Sequence, residues 1–535
     1  MSIRNVTVNN LGTITGSQNG IESTIGEINN LGTISALAVN GIAVDGSTTA
    51  NVTNSGLIQA IGADATGLRS LDSGTAILNN LASGVLTAGK FGIDAITADV
   101  TNAGRIESTA AGGAAINATT ATVANSGTIV SAGANTRAID TTGDANVTNN
   151  TGGTISGRLD GIRALGTVNV NNAQGALIET TEPTFIADAI RGVGNTTIRN
   201  SGTIRSLGGS ASGIVSEAGL AITNTSTGVI TATRIGTFAF GDATVSNEGL
   251  IEANSSFGFA ISGNGNVNVS NGGGTIRATG GNNLAIGVNG TATVTNGSGL
   301  IQTTGQDSST ISGANVKITG NAGTIEATGV NAIAIQATET ADVTNSGTIR
   351  STGDNGIAIK AANALINNNT GGTILGNLGA IRMDSGTINN AGVIQGIGVT
   401  GFGVLANNSA NVFNTGAISG NIGVQANGLN NAGTVIANAG TITGTGGTAI
   451  KLSPAADTLT LLRGSQIIGL IDMGGGADTI NINTIVPVSR VSSLITLLPV
   501  DTILRNVINF TGTLNATPSA ATPGMPAVAT ATQFA

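Results

Sequence analysis

The stretch ETTEPTFIADAIRG, residues 179–192, places three carboxylates, Glu179, Glu182 and Asp188, in the longest irregular interval of an otherwise regular chain. Carboxylate pairs cleave sugar polymers when one group gives a proton and the other acts as base or nucleophile. A local site, if the chain carries one, falls on these residues first. Other chemistries are closed by composition. There is no His and no Cys, so no Ser-His-Asp triad, Cys-His pair or His/Cys zinc site can be assembled. Trp and Tyr, on which sugar rings stack, are absent as well. MGGGAD (473–478) approaches a Gly-Gly-x-Gly-x-Asp calcium turn. However, Ala477 and Thr479 stand where the next Gly and the Asp belong, and such turns bind calcium only in repeated series. GIGVTG (396–401) matches G-x-G-x-x-G with no helix pattern after it. No metal and no small-molecule cofactor is expected.

The elements that would hold such residues follow from composition. Gly supplies 83 of 535 residues, apolar residues 40% and charged residues only 9%. Disorder comes with the opposite balance, so this is a core-forming chain. A net charge of −8 and four Lys argue against a nucleic-acid partner, which attracts clusters of Lys and Arg. No stretch reaches the ~18 consecutive apolar residues of a membrane helix.

VTNSGTI-like segments return along the sequence. The Ile that follows each Asn-x-Gly marks a series from Ile14, Ile34 and Ile58, through Leu86, to Ile394 and Ile418, with a period of about 24 residues. Each period holds three short alternating segments, such as GTIRS, GIAIK and NALIN within residues 343–367, separated by Gly/Asn/Asp corners. Nothing recurs at helical spacing. The fold class expected is all-β: a single right-handed parallel β-helix (β-solenoid) with three short strands per coil, about 24 residues per coil and roughly 18–20 coils.

Side chains alternate in and out along a strand. Val52 and Ile58 therefore point inward, and Asn54 shares the parity of Val52. The recurrent Asn residues, Asn54, Asn102, Asn125, Asn200, Asn247, Asn321, Asn345, Asn390 and Asn414, are expected as an internal ladder at one corner. The Gly two residues later is expected to supply a positive φ there. Phe238 and Phe240 of TFAF, and Phe259, are expected inside, in the slots of Ile42 and Val44, whereas Phe413 replaces an outward Thr. Outward residues after the marker Ile give Glu179–Arg205, Glu252–Arg277 and Glu326–Arg350, opposite charges one turn apart. Ice binding would require outward Thr-x-Thr on every turn, and TAT at 231–233 and 291–293 is too sporadic.

The expected domain plan is 1–450 for the repeats, opening mid-repeat, and 451–484 for variant rungs in which ADTLTL (456–461) recurs as ADTINI (477–482). An apolar irregular segment (485–514) and a Pro/Ala/Thr-rich linker (515–535) to a further C-terminal domain follow. The start, MSIRNVTVNN, lacks the pattern of a signal peptide. NVTVNN is an open sheet edge and an expected site of association.

The VTNSGTI rungs, the paired ADT rungs and the linker together resemble the passenger domains of bacterial autotransporters (type V secretion). The resemblance implies export through the periplasm, display at the cell surface of a Gram-negative bacterium, and a C-terminal outer-membrane β-barrel translocator in the same precursor. It implies a non-enzymatic adhesin or stalk with a surface receptor or polysaccharide as partner. The alternative is a β-helical polysaccharide lyase or hydrolase.

Overall fold

The computed structural model describes residues 5–182, 187–429, 431–485, 508–509 and 512–519. These residues form parallel β-strands with no helix, wound into a β-solenoid of about 20 turns of about 24 residues. Contacts divide the chain into two compact units, one of Met1–Thr279 with Ala285–Gly290, the other of Gly280–Leu284 with Thr291–Ala535.

A turn in the first unit consists of Arg137–Thr141, Ala145–Asn149 and Thr154–Gly157. We refer to these as first, second and third segments. In other turns the first two run on as one bent strand, as in Ala114–Asn125 and, in the second unit, Ile333–Asn345. The bend is absorbed by a register irregularity, for example between Asp45 and Thr49. Such a bulge turns the chain without ending its hydrogen-bond ladder.

Third segments stack in strict register. Ile14 lies beside Ile34, Ile34 beside Ile58, and Ile58 beside Leu86. In the second unit Ile325 lies beside Ile349, Ile349 beside Ile374, and Ile394 beside Ile418. From Ile34 on, these side chains are fully buried. The interior is therefore a set of Ile, Val, Leu and Ala columns, each repeating at the inter-strand spacing of about 4.8 Å.

One polar column runs inside this apolar frame. Asn54, Asn102, Asn125, Asn200, Asn247, Asn321, Asn345, Asn390 and Asn414 are all at most 1% exposed. Each donates its amide Nδ2–H to the Oδ1 of the Asn one turn later. In the first unit the series runs Asn10, Asn30, Asn54, Asn80, Asn102, Asn125, Asn149, Asn172, Asn200, Asn224, Asn247, Asn271, at 2.7–3.0 Å. In the second it runs Asn296, Asn321, Asn345, Asn368, Asn390, Asn414, Asn438, at 2.7–2.8 Å. Backbone carbonyls take the remaining donor capacity: Asn345 Nδ2 also reaches the oxygens of Gly347 and Thr373. An amide is both donor and acceptor, so identical copies satisfy one another without limit.

The Gly of Asn-x-Gly serves a different purpose from the expected one. Gly347 does not adopt a positive φ. A Cβ there would run into the carbonyl of Gly323 in the turn below and the backbone of Ala322. Stacked corners touch through their backbones, and the space between them admits only hydrogen. Positive φ occurs in longer corners such as Gly152 and Gly371.

Phe259 takes the expected slot, in register with Ile235 in the column of Ile42, whereas Phe238 and Phe240 correct the expectation. Phe238 and Phe259 are half-buried, and Phe240 is 50% exposed. Register places Thr237 beside Ile214 on one side and Ile261 on the other, so Thr237 takes the inward slot and Phe238 faces out. Phe238 and Phe240 meet edge to face at 4.8 Å on the surface. Thr237, not Phe240, is the equivalent of Val44, so the alignment of TFAF with GIAV is wrong by three residues, an odd number that inverts every side chain. Phe413 is outward, 47% exposed.

At the C-terminal end, Gly512–Ser519 is a strand paired in parallel with Asp478–Ile485. Residues 515–519 of the expected linker therefore lie in a sheet. The rest of that linker, and the apolar segment apart from residues 485, 508–509 and 512–514, fall outside the described residues.

Two substitutions test the interior with opposite signs. Asn200→Leu strands Asn172 Nδ2 and Asn224 Oδ1, and is expected to lower unfolding free energy by about 2–4 kcal/mol in urea titration. Thr237 Oγ1 is buried without a hydrogen-bond partner, so Thr237→Val is expected to raise it by about 1 kcal/mol.

Candidate functional site

The three sequence-nominated carboxylates sit on different segments, each with its own arginine. Glu179, on the third segment Leu177–Thr180, accepts from Arg205 at 2.8 Å through Oε2 and from the Ser156 hydroxyl through Oε1. Glu182, 5% exposed, accepts from Arg158 Nε at 2.8 Å. Asp188, on the first segment Asp188–Gly192, is 2% exposed with Arg191 at 3.3 Å. Residues 183–186 of the same insertion lie outside the described residues. Among the described residues, no group of three or more acidic side chains is placed to hold a metal ion.

Asp188 has a neighbour that sequence reasoning missed. Asp160, 4% exposed, lies one turn earlier, accepts from Arg137 Nε at 2.8 Å and takes the Asp188 backbone amide at 3.3 Å. Burial pushes the Asp188 carboxyl up to about 6; the Asp160 charge adds to the shift, and Arg191 and Ser212 oppose it. The pair belongs to a wider network on first segments: Asp140 meets Arg137 and Arg163, and Arg191 also meets Glu217. Burial pushes Asp140 up as well, against the pull of Arg137 and Arg163. Asp140 and Arg163 are outward and one turn apart, so the rule that finds Glu179–Arg205 reaches them as well; Asp160 and Asp188 share the parity of the buried Ile162 and Ile190, and the rule passes over them.

The other nominated pairs are present too. Arg277 bonds Glu252, and Arg350 bonds Glu326 at 2.7 Å. The ADT rungs use their carboxylates on backbone amides. Asp457 accepts from the amides of Thr434 and Ser453, and Asp478 from the amide of Asp457.

A second surface carries no such internal pairing. On the second segments of the first unit, outward residues flank a buried Val or Ile and form two columns. Asp99, Thr122, Asn146, Asn169 and Thr197 make one; Thr101, Ala124, Thr148, Asn171, Arg199 and Thr223 make the other. Together they line a shallow trough of about 470 Å³. Hydroxyls and carboxamides repeat along it at about 4.8 Å. Asn169 Nδ2 donates to Asn146 Oδ1 at 2.9 Å, which holds both amides in line. Arg199 and Asp99 lie near opposite ends. This surface can hydrogen-bond an extended, hydroxyl-rich or amide-rich chain. Its signal in the sequence is the outward pair in each NVT-like rung.

No family model matches the chain, and no curated protein or solved structure matches it either.

Asp188 supplies a pH test. Its folded value lies above the unfolded value of about 3.8, so the folded state holds the proton more tightly. Stability from this group is complete below pH 4 and is lost as pH rises through about 6. Asp188→Asn is expected to remove a fall of order 3 kcal/mol between those limits, as measured by urea midpoints at pH 4 and pH 7.

Proposed function

We propose that the chain is an exported, surface-displayed passenger of the autotransporter type that acts without catalysis, as an adhesin or as a stalk bearing one. The observation that carries this reading is the neutral polar trough on the first unit. It is built of repeated Thr and Asn side chains on a frame whose charges largely pair with one another. A repeating surface of this kind makes many weak contacts with an extended partner, and multiplicity supplies the strength. The partner class is a neutral surface glycan or a hydroxyl-rich receptor. Export through the periplasm and a C-terminal β-barrel translocator in the precursor belong to the same proposal and rest on the resemblance of the rung and linker motifs.

A second reading is a polysaccharide lyase or hydrolase, favoured by one observation. A carboxyl with a pKa of about 6 beside a second carboxylate has the protonation behaviour of a general acid. Its 2% exposure and its pairing to Arg191 oppose this reading.

One set of measurements separates the readings. Immobilised neutral glycans are expected to retain the chain, with retention weakened about tenfold or more by Asn169→Leu combined with Thr197→Leu and unchanged by Asp188→Asn. Release of reducing ends or unsaturated sugars by the wild type, abolished in Asp188→Asn, would establish the enzyme reading instead. Failure to bind any glycan leaves the stalk and removes the adhesin.

A further inference from the structure

Lys360 and Arg382 occupy the same outward position in successive turns of the second unit, on the strands Ile357–Asn368 and Gly379–Asn390. Their inward neighbours Ile359 and Ile381 are fully buried, so alternation turns both cations to the surface. Lys360 is exposed and Arg382 half-buried. Like charges in register at about 4.8 Å repel. The second unit pairs Lys317 with Asp342 and Arg350 with Glu326, and among the described residues neither Lys360 nor Arg382 takes part in an ion pair. Equivalent positions in the first unit show how such a contact is otherwise compensated. Glu22 lies beside Asp45, and Arg163 beside Arg191. Glu22 accepts from Asn19 and Asp45 from Arg69; Arg163 meets Asp140, and Arg191 meets Asp188 and Glu217.

Carboxylates at the adjoining corners are engaged by asparagines. Asp384 accepts from Asn407 Nδ2 at 2.7 Å, and Glu339 from Asn315 Nδ2 at 3.0 Å. One turn before Lys360 stands Gln336. Its Oε1 accepts from Ser309 Oγ at 2.8 Å, which leaves Nε2 as its unused donor among the described residues. Three successive turns thus present an amide, an ammonium and a guanidinium, all donors, at steps of about 4.8 Å. The run has defined ends. Ser312 precedes it and the half-buried Leu405 follows it. Lys451, farther along the same column, has Asp472 beside it and does not extend the run.

We propose that Gln336, Lys360 and Arg382 bind an acidic polysaccharide, a uronate chain laid along the column. One carboxylate sits between Lys360 and Arg382, and an oxygen of the adjacent sugar accepts from Gln336 Nε2. An anionic group between the two cations turns their repulsion into attraction. Arg382 offers it a planar fork and Lys360 a point charge. The occupant is a chain and not a free anion, because two cations on an open sheet face hold a small ion weakly against water and salt. Its charge density is low. A dense polyanion such as nucleic acid is held by many cations, and this chain carries a net charge of −8. A uronate polymer supplies a carboxylate among neutral hydroxyls, which matches two cations beside an amide and an apolar Leu405. This surface belongs to the second unit and reads charge, so it stands or falls separately from the neutral trough of the first.

The probe is a fluorescent oligogalacturonate titrated into the full chain at low ionic strength and followed by anisotropy. Its fully methyl-esterified form is the neutral control. The acid is expected to bind, to weaken steeply with added salt, and to bind about tenfold or more tightly than the ester. Lys360→Gln combined with Arg382→Gln is expected to weaken binding about tenfold or more. The urea midpoint of that double variant is expected to be no lower than that of the wild type, since the substitutions relieve a repulsion. Arg382→Lys keeps the charge and loses the fork, and is expected to bind between the two. Arg234→Gln removes an exposed cation of the first unit and is expected to bind as the wild type. Retention on neutral glycans is expected to be equal in the double variant and the wild type. No binding of the acid, equal binding of the ester, or a loss in Arg234→Gln as large as in the double variant overturns the proposal. So does binding of polyglutamate or of an oligonucleotide that equals the acid's and disappears in the double variant, because the site would then read charge without the sugar.

Discussion

Parallel stacking in one register is the constraint on which the rest of this molecule depends. Every side chain meets the equivalent side chain of the next turn at about 4.8 Å, so a residue type is tolerated in a column only if it can sit on its own kind or on a complement. Aliphatic side chains meet that condition by packing, and carboxamides by donating one way and accepting the other. Charges do not meet it. Glu326 therefore lies beneath Arg350, and Glu179 beneath Arg205. Where Asp188 is buried and follows Asp160 without a cation between them, burial first and the second carboxylate in addition make the carboxyl hold its proton to a higher pH.

This constraint also decides how far the sequence was readable. The series from Ile14 to Ile418 is a repeat, and strand alternation carries the inward direction from Val52 to Asn54 and on to Ile58, all of them fully buried. The Glu–Arg pairs were legible because they ask only which residues are outward and one turn apart. Phe238 and Phe240 were not, because parity is lost when the start of a segment is misjudged by an odd number of residues. In TFAF the choice between Phe238 and Thr237 as the inward residue depends on packing against Ile214 and Ile261. The ladder glycines were placed correctly and explained wrongly. Gly347 is required by contact with another turn, and such contact leaves no local mark in the sequence.

The candidate site divides along the same line. The carboxylates that drew attention by residue type, Glu179, Glu182 and Asp188, are each taken up by an arginine. The trough residues attract no attention singly: a Thr or an Asn in a strand is ordinary. Their significance arises from repetition in register, with Thr122, Asn146, Asn169 and Thr197 in one column. Outward positions are also where residue type is least restricted by neighbours, so they are free to take on a partner's chemistry.

The matched corners have a consequence for how such a chain can change its length. Loss or gain of a single residue inside a segment turns inward side chains outward and breaks the amide ladder at that point. Loss or gain of a whole turn leaves each remaining turn with a neighbour of the same pattern, because each turn contacts only the next. Length is thus quantised: recombination between one copy of the Asn-x-Gly corner and another yields a shorter or longer protein with every interior column intact.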